Sequence, residues 1–220
     1  AILIMIHADN LSRPALRRQL RACRRALAPQ QQRQAARDLY RRLAQHPLFR
    51  RARHIALYLP NDGEIDPHLL CRAAWRRGKR VYLPLLAAWP RTHMVFQRID
   101  ADEPLLRNRF RNPEPRPCPA RQRRPWALDL LLLPLVGFDA GGGRLGMGGG
   151  FYDRALAYRL RHRNWQKPVL LGLAHACQQV DRLPLESWDV PLHATVTDRG
   201  WHAGCRREEL EGARVARGRR

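Results

Sequence analysis

Between Ser12 and Ala44 the apolar positions recur at helical spacing. Leu16, Leu20, Cys23 and Leu27 fall at i, i+4, i+7 and i+11, which is one face of a helix. Ser12 before Arg13-Pro14 reads as an N-cap with proline in the first turn. Pro29 breaks the run. A second helix is expected over Gln30–Gln45, with Ala35, Ala36, Leu39 and Leu43 inward and its arginines on a solvated face.

The pattern then shortens. Ile55–Pro60 is an apolar run of strand length, Asn61-Asp62-Gly63 is a turn, and Asp66-Pro67 opens a helix that reaches Arg77. Gly78 suits the C′ position of that helix. Val81–Leu85 is a second strand. This strand–helix–strand order predicts a parallel crossover. Met94–Ile99 is a further strand, and the proline- and arginine-rich stretch 111–125 is expected to be an irregular surface loop. Asp129–Val136, almost wholly apolar, predicts a strand covered on both faces. A glycine-rich loop follows, then a helix over Phe151–His162, a strand over Val169–Ala174 and a last short strand within Val190–Val196. These elements make a single α/β domain with a mostly parallel sheet flanked by helices. The glycine-rich loop lies between a central strand and a helix. The domain is expected over residues 13–205, with an N-terminal extension at 1–12, in which Met5 is a candidate start, and a charged tail at 206–220 that frays.

Composition changes the picture little. At 220 residues the chain is long enough to bury a core, and no apolar run approaches the ~20 residues of a membrane helix. The apolar opening Ala1–Ile6 lacks the flanks of a secretory signal. Cys23, Cys71, Cys118, Cys177 and Cys205 are scattered, with no C-x-x-C pair, so zinc sites and a disulfide framework lose support and a reducing, cytoplasmic compartment is expected. The formal charge of +22 directs attention to polyanions. Lys79 and Lys167 are the only lysines, however, and the arginines spread over the whole chain. That distribution fits a compositional bias as well as a binding stripe.

The chemistry concentrates in Gly141–Arg154. Glycines between a buried strand and a helix let backbone approach a ligand, and the helix start favours anions. Arg144 adds forked donors suited to phosphate. No Gly-Lys-Ser/Thr follows, so this is not a Walker A loop, and Gly146-x-Gly148-x-x-Phe151 fails the dinucleotide fingerprint. Asp153, one turn into the helix, reads either as a Mg²⁺ ligand or as an acid stabilising the helix dipole.

The run Leu135-Val136-Gly137-Phe138-Asp139, together with Arg144–Arg154, resembles the signature of the 5-formyltetrahydrofolate cyclo-ligase (methenyltetrahydrofolate synthetase) family. The resemblance extends over residues 13–200. It includes the basic first helix, Tyr58–Asp66, Gly78–Pro84, Asn112–Pro115, Gly172–His175 and Leu183–Asp189 in the family's order, and it is nearest the bacterial branch. It implies an ATP-driven reaction. The formyl oxygen of 5-formyltetrahydrofolate attacks the γ-phosphate of Mg-ATP, N10 closes on the activated carbon, and 5,10-methenyltetrahydrofolate, ADP and phosphate leave.

The same resemblance assigns residues. Arg13 and Arg17, four apart on one helical face, would hold ATP phosphates, with Arg144, Leu145, Gly146, Met147, Gly148, Gly149, Gly150, Phe151 and Tyr152 forming the ATP loop. Leu59, Glu64, Phe110, Met147, Gly148, Gly149, Gly150 and Phe151 would border the folate. Glu64 would sit near its formyl and N10 groups. Asp153 and Asp189 would be the Mg²⁺ ligands. Glu64, Arg144 and Tyr152 are the residues expected to act in catalysis. Arg13 and Gly149 stand where some members carry lysine. Residue types alone read Glu64 as an exposed loop acid, Phe110 equally well as core, Asp189 as a turn or cap residue, and His175 as structural. The implied partners are ATP, Mg²⁺ and the folate, with or without a polyglutamate tail, and the chain is expected to act as a monomer without membrane or nucleic acid. A basic RNA-binding protein and another ATP- or sugar-phosphate-binding α/β enzyme remain as alternatives. No RNA-recognition motif supports the first, and folate-dependent phosphate release separates the second.

Overall fold

The structure is a computed structural model that describes residues 11–87, 92–109, 112–162 and 167–204. In chain order the helices and strands are α1 (Arg13–Arg25), α2 (Pro29–Ala44), α3 (Pro47–Arg51), β1 (His54–Ala56), α4 (His68–Arg76), β2 (Arg80–Leu86), β3 (Met94–Ile99), β4 (Leu105–Arg107), β5 (Pro113–Pro115) and β6 (Gln122–Arg123). They continue with β7 (Leu130–Pro134), β8 (Gly137–Phe138), β9 (Arg144–Leu145), α5 (Phe151–Leu156), α6 (Tyr158–Arg161), β10 (Val169–Ala174), β11 (Ala194–Thr197) and β12 (Trp201–Ala203). Three short 3₁₀ turns also occur among the described residues. The expected extension and tail lie almost wholly outside the described residues, and Phe110 does as well.

One mixed sheet carries the fold, in the order β12-β11-β10-β7-β1-β2-β3-β6. The stretch from β11 to β2 is parallel, and β12, β3 and β6 add antiparallel edges. Alternation along β7 shows how both faces are covered. Leu130 and Leu132 pack with α2, α3 and α4, whereas Leu131 and Leu133 pack with Phe96, Leu156 and Leu170 on the other face. The crossover from β1 to β2 runs through α4 on the first face. The crossover from β7 to β10 runs through α5 and α6 on the second. The chain therefore leaves two adjacent strands, β1 and β7, in opposite directions. A crevice opens beyond the carboxyl ends of strands at such a reversal.

α1 lies across that end. Ser12 caps it, its hydroxyl accepting from the Ala15 amide at 3.4 Å. Leu16 and Leu20 pack on Val136, Leu145, Val180 and Leu183. The buried stripe continues with Arg24, wholly enclosed, and not with Cys23 and Leu27, which are half-buried. The expected face was therefore turned: a strict i, i+4 row is inward, with a charged residue as its third member.

Other boundaries also moved. The helix expected over Phe151–His162 is interrupted at Ala157, where the amide bonds back three residues to Arg154 instead of four. The stretch 111–125 is less irregular than expected, because β5 pairs with β4 and β6 with β3. Gln97, buried in β3, anchors it: its side chain donates to Arg116 O and accepts from the Cys118 amide, each at 2.6 Å. The short strand expected within Val190–Val196 is Ala194–Thr197, and β12 returns beside it after a turn closed by Thr197 and Gly200. Among the described residues no helix is long and apolar enough to cross a membrane.

Candidate functional site

A cleft of about 990 Å³ occupies the crevice where the chain reverses. Its walls include the segment after β1 (Tyr58–Glu64), β2 with the start of β3 (Leu83, Pro84, Leu86 and Met94), Asn108 with Asn112 and Pro113, the end of β7 with the glycine loop (Pro134 onward), the start of α1, and the turn at Glu186–Asp189. Of the residues singled out from the sequence, Arg13, Arg17, Leu59, Glu64, Arg144, Gly146, Met147, Gly148, Gly149, Gly150, Phe151, Tyr152, Asp153 and Asp189 all line it. Leu145 does not. Its side chain is buried in the cluster beneath α1, and its carbonyl accepts from the Val136 amide at 2.7 Å.

One half of the cleft is cationic. Arg13 forks onto Asp189, with contacts of 2.7 and 3.2 Å, and also donates to Pro184 O at 3.0 Å. Arg17 donates through Nε to Gly146 O at 2.9 Å. Burial first, and then the neighbouring charge of Arg13, lower the Arg17 pKa. Two guanidiniums held this close in a partly enclosed site are relieved by an anion between them. Arg144 is buried and ion-paired through Nη2 with Asp153, while its Nε has no partner among the described residues. An enclosed donor left unpaired on the wall of a cleft is where an anionic ligand gains most. Arg154 donates to Gly149 O at 2.6 Å, so a guanidinium stands beside this part of the loop.

The loop is shaped to approach a ligand by backbone. Gly148 and Gly150 adopt φ +103° and +62°, a region closed to most side chains, and Gly150 is the residue before α5. Its left-handed conformation turns the chain into the helix.

The other half holds two acids, Glu64 and Asp62, and two phenols, Tyr58 and Tyr152. Glu64 accepts from the Asn61 amide at 3.1 Å, and its other oxygen lies 3.8 Å from Arg24 Nη2. Burial pushes its carboxyl up to about 7, against the opposing pull of Arg24. Tyr152 is raised well above the usual phenol value by burial and the Glu64 charge, so it remains a neutral donor. Tyr58 behaves likewise and donates to Ile65 O at 2.8 Å. His175 sits behind the turn, buried, with Nε2 3.2 Å from Gly63 O.

Asp153 and Asp189 stand at the cationic end, each paired with an arginine, and both act electrostatically on Arg13. No group of three or more His, Cys, Asp or Glu side chains able to hold a metal occurs among the described residues. Two carboxylates beside a cluster of arginines nonetheless fit Mg²⁺, which takes one or two protein carboxylates and completes its shell with phosphate oxygens and water.

Arg24 and Asp62 were missed from the sequence. Asp62, at φ 55°, receives Arg21, Arg24 and Arg25, which hold its carboxyl at about 2 although burial opposes this. The i, i+4 continuation from Leu20 to Arg24 was the available sign.

Comparison with known proteins gives a consistent picture. The model of the 5-formyltetrahydrofolate cyclo-ligase family matches residues 9–198. The chain is 42% identical over 181 residues to the 5-formyltetrahydrofolate cyclo-ligase of Escherichia coli, spanning 81% of this chain and 96% of that protein. It is 41% identical over 190 residues to that of Haemophilus influenzae, spanning 84% and 96%. The NMR structure of Aquifex aeolicus 5,10-methenyltetrahydrofolate synthetase is similar, with a TM-score of 0.75 at 27% identity over 88% of this chain and 93% of that one.

Proposed function

We infer the division of labour in the cleft from one premise: this chain belongs to the 5-formyltetrahydrofolate cyclo-ligase family and catalyses the ATP-driven closure of 5-formyltetrahydrofolate to 5,10-methenyltetrahydrofolate. The observation that carries the reading is the polarity of the cleft. Arg13, Arg17 and Arg144 stand with the glycine loop at one end, and a carboxyl poised near neutrality stands at the other.

ATP binds at the cationic end. Arg13 and Arg17 take the phosphates. The Gly146–Gly150 backbone lies along them, and Arg144 meets the transferred phosphoryl group with its unpartnered Nε. Such a step depends on positioning and charge stabilisation, since the formyl oxygen supplies the nucleophile. Asp153 and Asp189 would hold Mg²⁺, which when bound neutralises phosphate charge and orients the γ-phosphate. Arg154 supplies a positive charge beside Gly149.

The folate lies toward Leu59, Glu64 and Tyr152. Once the formyl oxygen carries phosphate, the carbon is electrophilic and N10 attacks it. Glu64 accepts the N10 proton, and the carbon–oxygen bond breaks to release phosphate. A carboxyl near 7 is ionised often enough to act as base and basic enough to take the proton. Tyr152, a neutral donor, supports the departing phosphate oxygens. The test mixes protein, Mg-ATP and 5-formyltetrahydrofolate and follows the methenyl chromophore in the near ultraviolet. Product that needs all three components supports the reading. A folded protein that binds ATP and forms none overturns the folate assignment. Glu64→Gln and Asp153→Asn then test the assigned roles.

A further inference from the structure

One buried side chain beneath the cleft touches several of its walls. Arg24 is wholly buried, yet it reaches three of the cleft's walls. Nε donates to Asp62 O at 2.8 Å and Nη2 to Asp62 Oδ2 at 2.9 Å, which holds the turn after β1. Nη1 donates to Leu135 O at 3.1 Å, at the end of β7. Nη2 also contacts Met147 Sδ at 3.8 Å, in the glycine loop. The Glu64 carboxylate stands 3.8 Å from the same nitrogen.

A packing role alone does not need this. A buried guanidinium is expensive to desolvate, and an apolar side chain of similar volume would fill the space beneath α1 at least as well. What an apolar side chain would not do is tie the turn, the strand end and the loop to one rigid planar group, or place a positive charge beside Glu64. The neighbouring charges favour the same reading. Arg21 and Arg25 share the Asp62 carboxylate with Arg24, so Asp62 does not cancel Arg24 as a lone partner would.

We propose that Arg24 is a positioning residue of the cyclisation: it sets where Glu64 stands relative to the glycine loop and supplies the charge against which the Glu64 carboxylate works. The proposal rests on the reading of Glu64 given above. The groups that face Glu64 are few: Arg24 from α1, Asp62 and the Asn61 amide from its own turn, Tyr58 from the segment after β1, and Tyr152 from α5. Arg24 attracts the ionised form and Asp62 disfavours it.

The experiment measures kcat/KM for 5-formyltetrahydrofolate against pH, followed as ADP formation, in the wild type, Arg24→Met, Arg24→Lys, Asp62→Asn and Glu64→Gln. Arg24→Met is expected to lower kcat at least tenfold and to move the acid limb upward by about one pH unit, the size expected for losing an opposite charge within ~4–6 Å. The KM for ATP should change less than threefold. Arg24→Lys should restore most of the limb's position but not the full kcat, because an ammonium keeps the charge and loses the fork. Asp62→Asn should move the limb the opposite way, downward. If Arg24→Met does not fold, Arg24→Lys and Asp62→Asn carry the test, since a limb that stays near its wild-type place in the first and moves downward in the second has no explanation in packing. A fall in kcat with the limb unmoved in all three variants overturns the proposal. If Glu64→Gln retains turnover and the limb, the reading of Glu64 is wrong and the proposal falls with it. If Glu64→Gln abolishes turnover while the Arg24 and Asp62 variants leave the limb in place, that reading stands and only the proposal fails.

Discussion

Glu64 should weaken the fold that carries it. Its side chain is only 10% exposed, and its carboxyl is raised from the ordinary 4.5 to about 7 by burial. The sign follows from linkage. Where the folded value lies above the unfolded one, the protonated acid is favoured on folding, so nothing is lost at pH below about 4.5. As pH rises the unfolded chain ionises first, and the penalty grows until the folded carboxyl also ionises near 7. A tenfold change in acid strength is worth about 1.4 kcal/mol, so the full penalty is about 3 kcal/mol above neutrality and below 1 kcal/mol at about pH 5. Glu64→Gln keeps the shape and the acceptor for the Asn61 amide but removes the ionisation. Its advantage over the wild type should therefore widen by about 2.5 kcal/mol between about pH 5 and pH 8. Taking the difference between two pH values cancels the fixed effects of the substitution, including the altered contact with Arg24. Urea denaturation at both pH values measures it directly. In thermal melts the same change is about 2–4 °C per kcal/mol for a chain of this size. A variant that is inactive yet more stable at the higher pH is the expected result. A stability difference that is the same at both pH values, or that narrows as pH rises, would refute the account of Glu64 as a desolvated acid held for its chemistry.

Asp62 gives the opposite dependence. With its carboxyl at about 2, it stabilises the fold above its ordinary value near 4, by up to about 2 kcal/mol, and loses this as pH falls toward 2. Urea denaturation should therefore show Asp62→Asn less stable at neutral pH and level with the wild type at about pH 2. Gly150→Ala forces a side chain into φ +62°, which strains the loop by about 1 kcal/mol. The KM for ATP should rise several-fold while the melting temperature falls by only a few degrees. Because Asp153 and Asp189 are each held by an arginine, Mn²⁺ watched by electron paramagnetic resonance should bind weakly to the protein alone and at least tenfold more tightly with ATP, whose phosphates draw the arginines away. Equal Mn²⁺ affinity with and without ATP would count against both carboxylates as ligands.

The parts of this protein legible in the sequence are those set by local periodicity and by glycine. β7 and β10 read as buried strands because Leu130–Leu133 and Leu170–Leu173 face packed layers on both sides. The loop was legible because backbone at positive φ admits little besides glycine, so function there is written in residue type. The short edge elements were not. β6 exists because Gln97, distant in sequence, holds the backbone of 116–118, and no window around Gln122 contains that information. β12 carried a faint sign, the turn at Asp198-Arg199-Gly200.

The hidden part of the site is charge whose role depends on burial. α1 carries Arg13, Arg17, Arg18, Arg21, Arg24 and Arg25, and nothing in their identity says which is inside. Topology decides it. Because the chain leaves β1 and β7 in opposite directions, the turn bearing Glu64 and the loop bearing Arg144 end side by side with a gap between them. One helix laid across the gap presents Arg13 and Arg17 to its mouth and Arg24 to its floor. The same stripe of a single helix therefore serves both ends of the cleft. At the end assigned above to ATP it presents Arg13 and Arg17, which remain partly open to solvent. At the end assigned above to the folate it supplies Arg24, which is enclosed. A substitution in α1 should accordingly divide by position: changes at Arg13 or Arg17 belong to the KM for ATP, and changes at Arg24 belong to the pH dependence of ring closure.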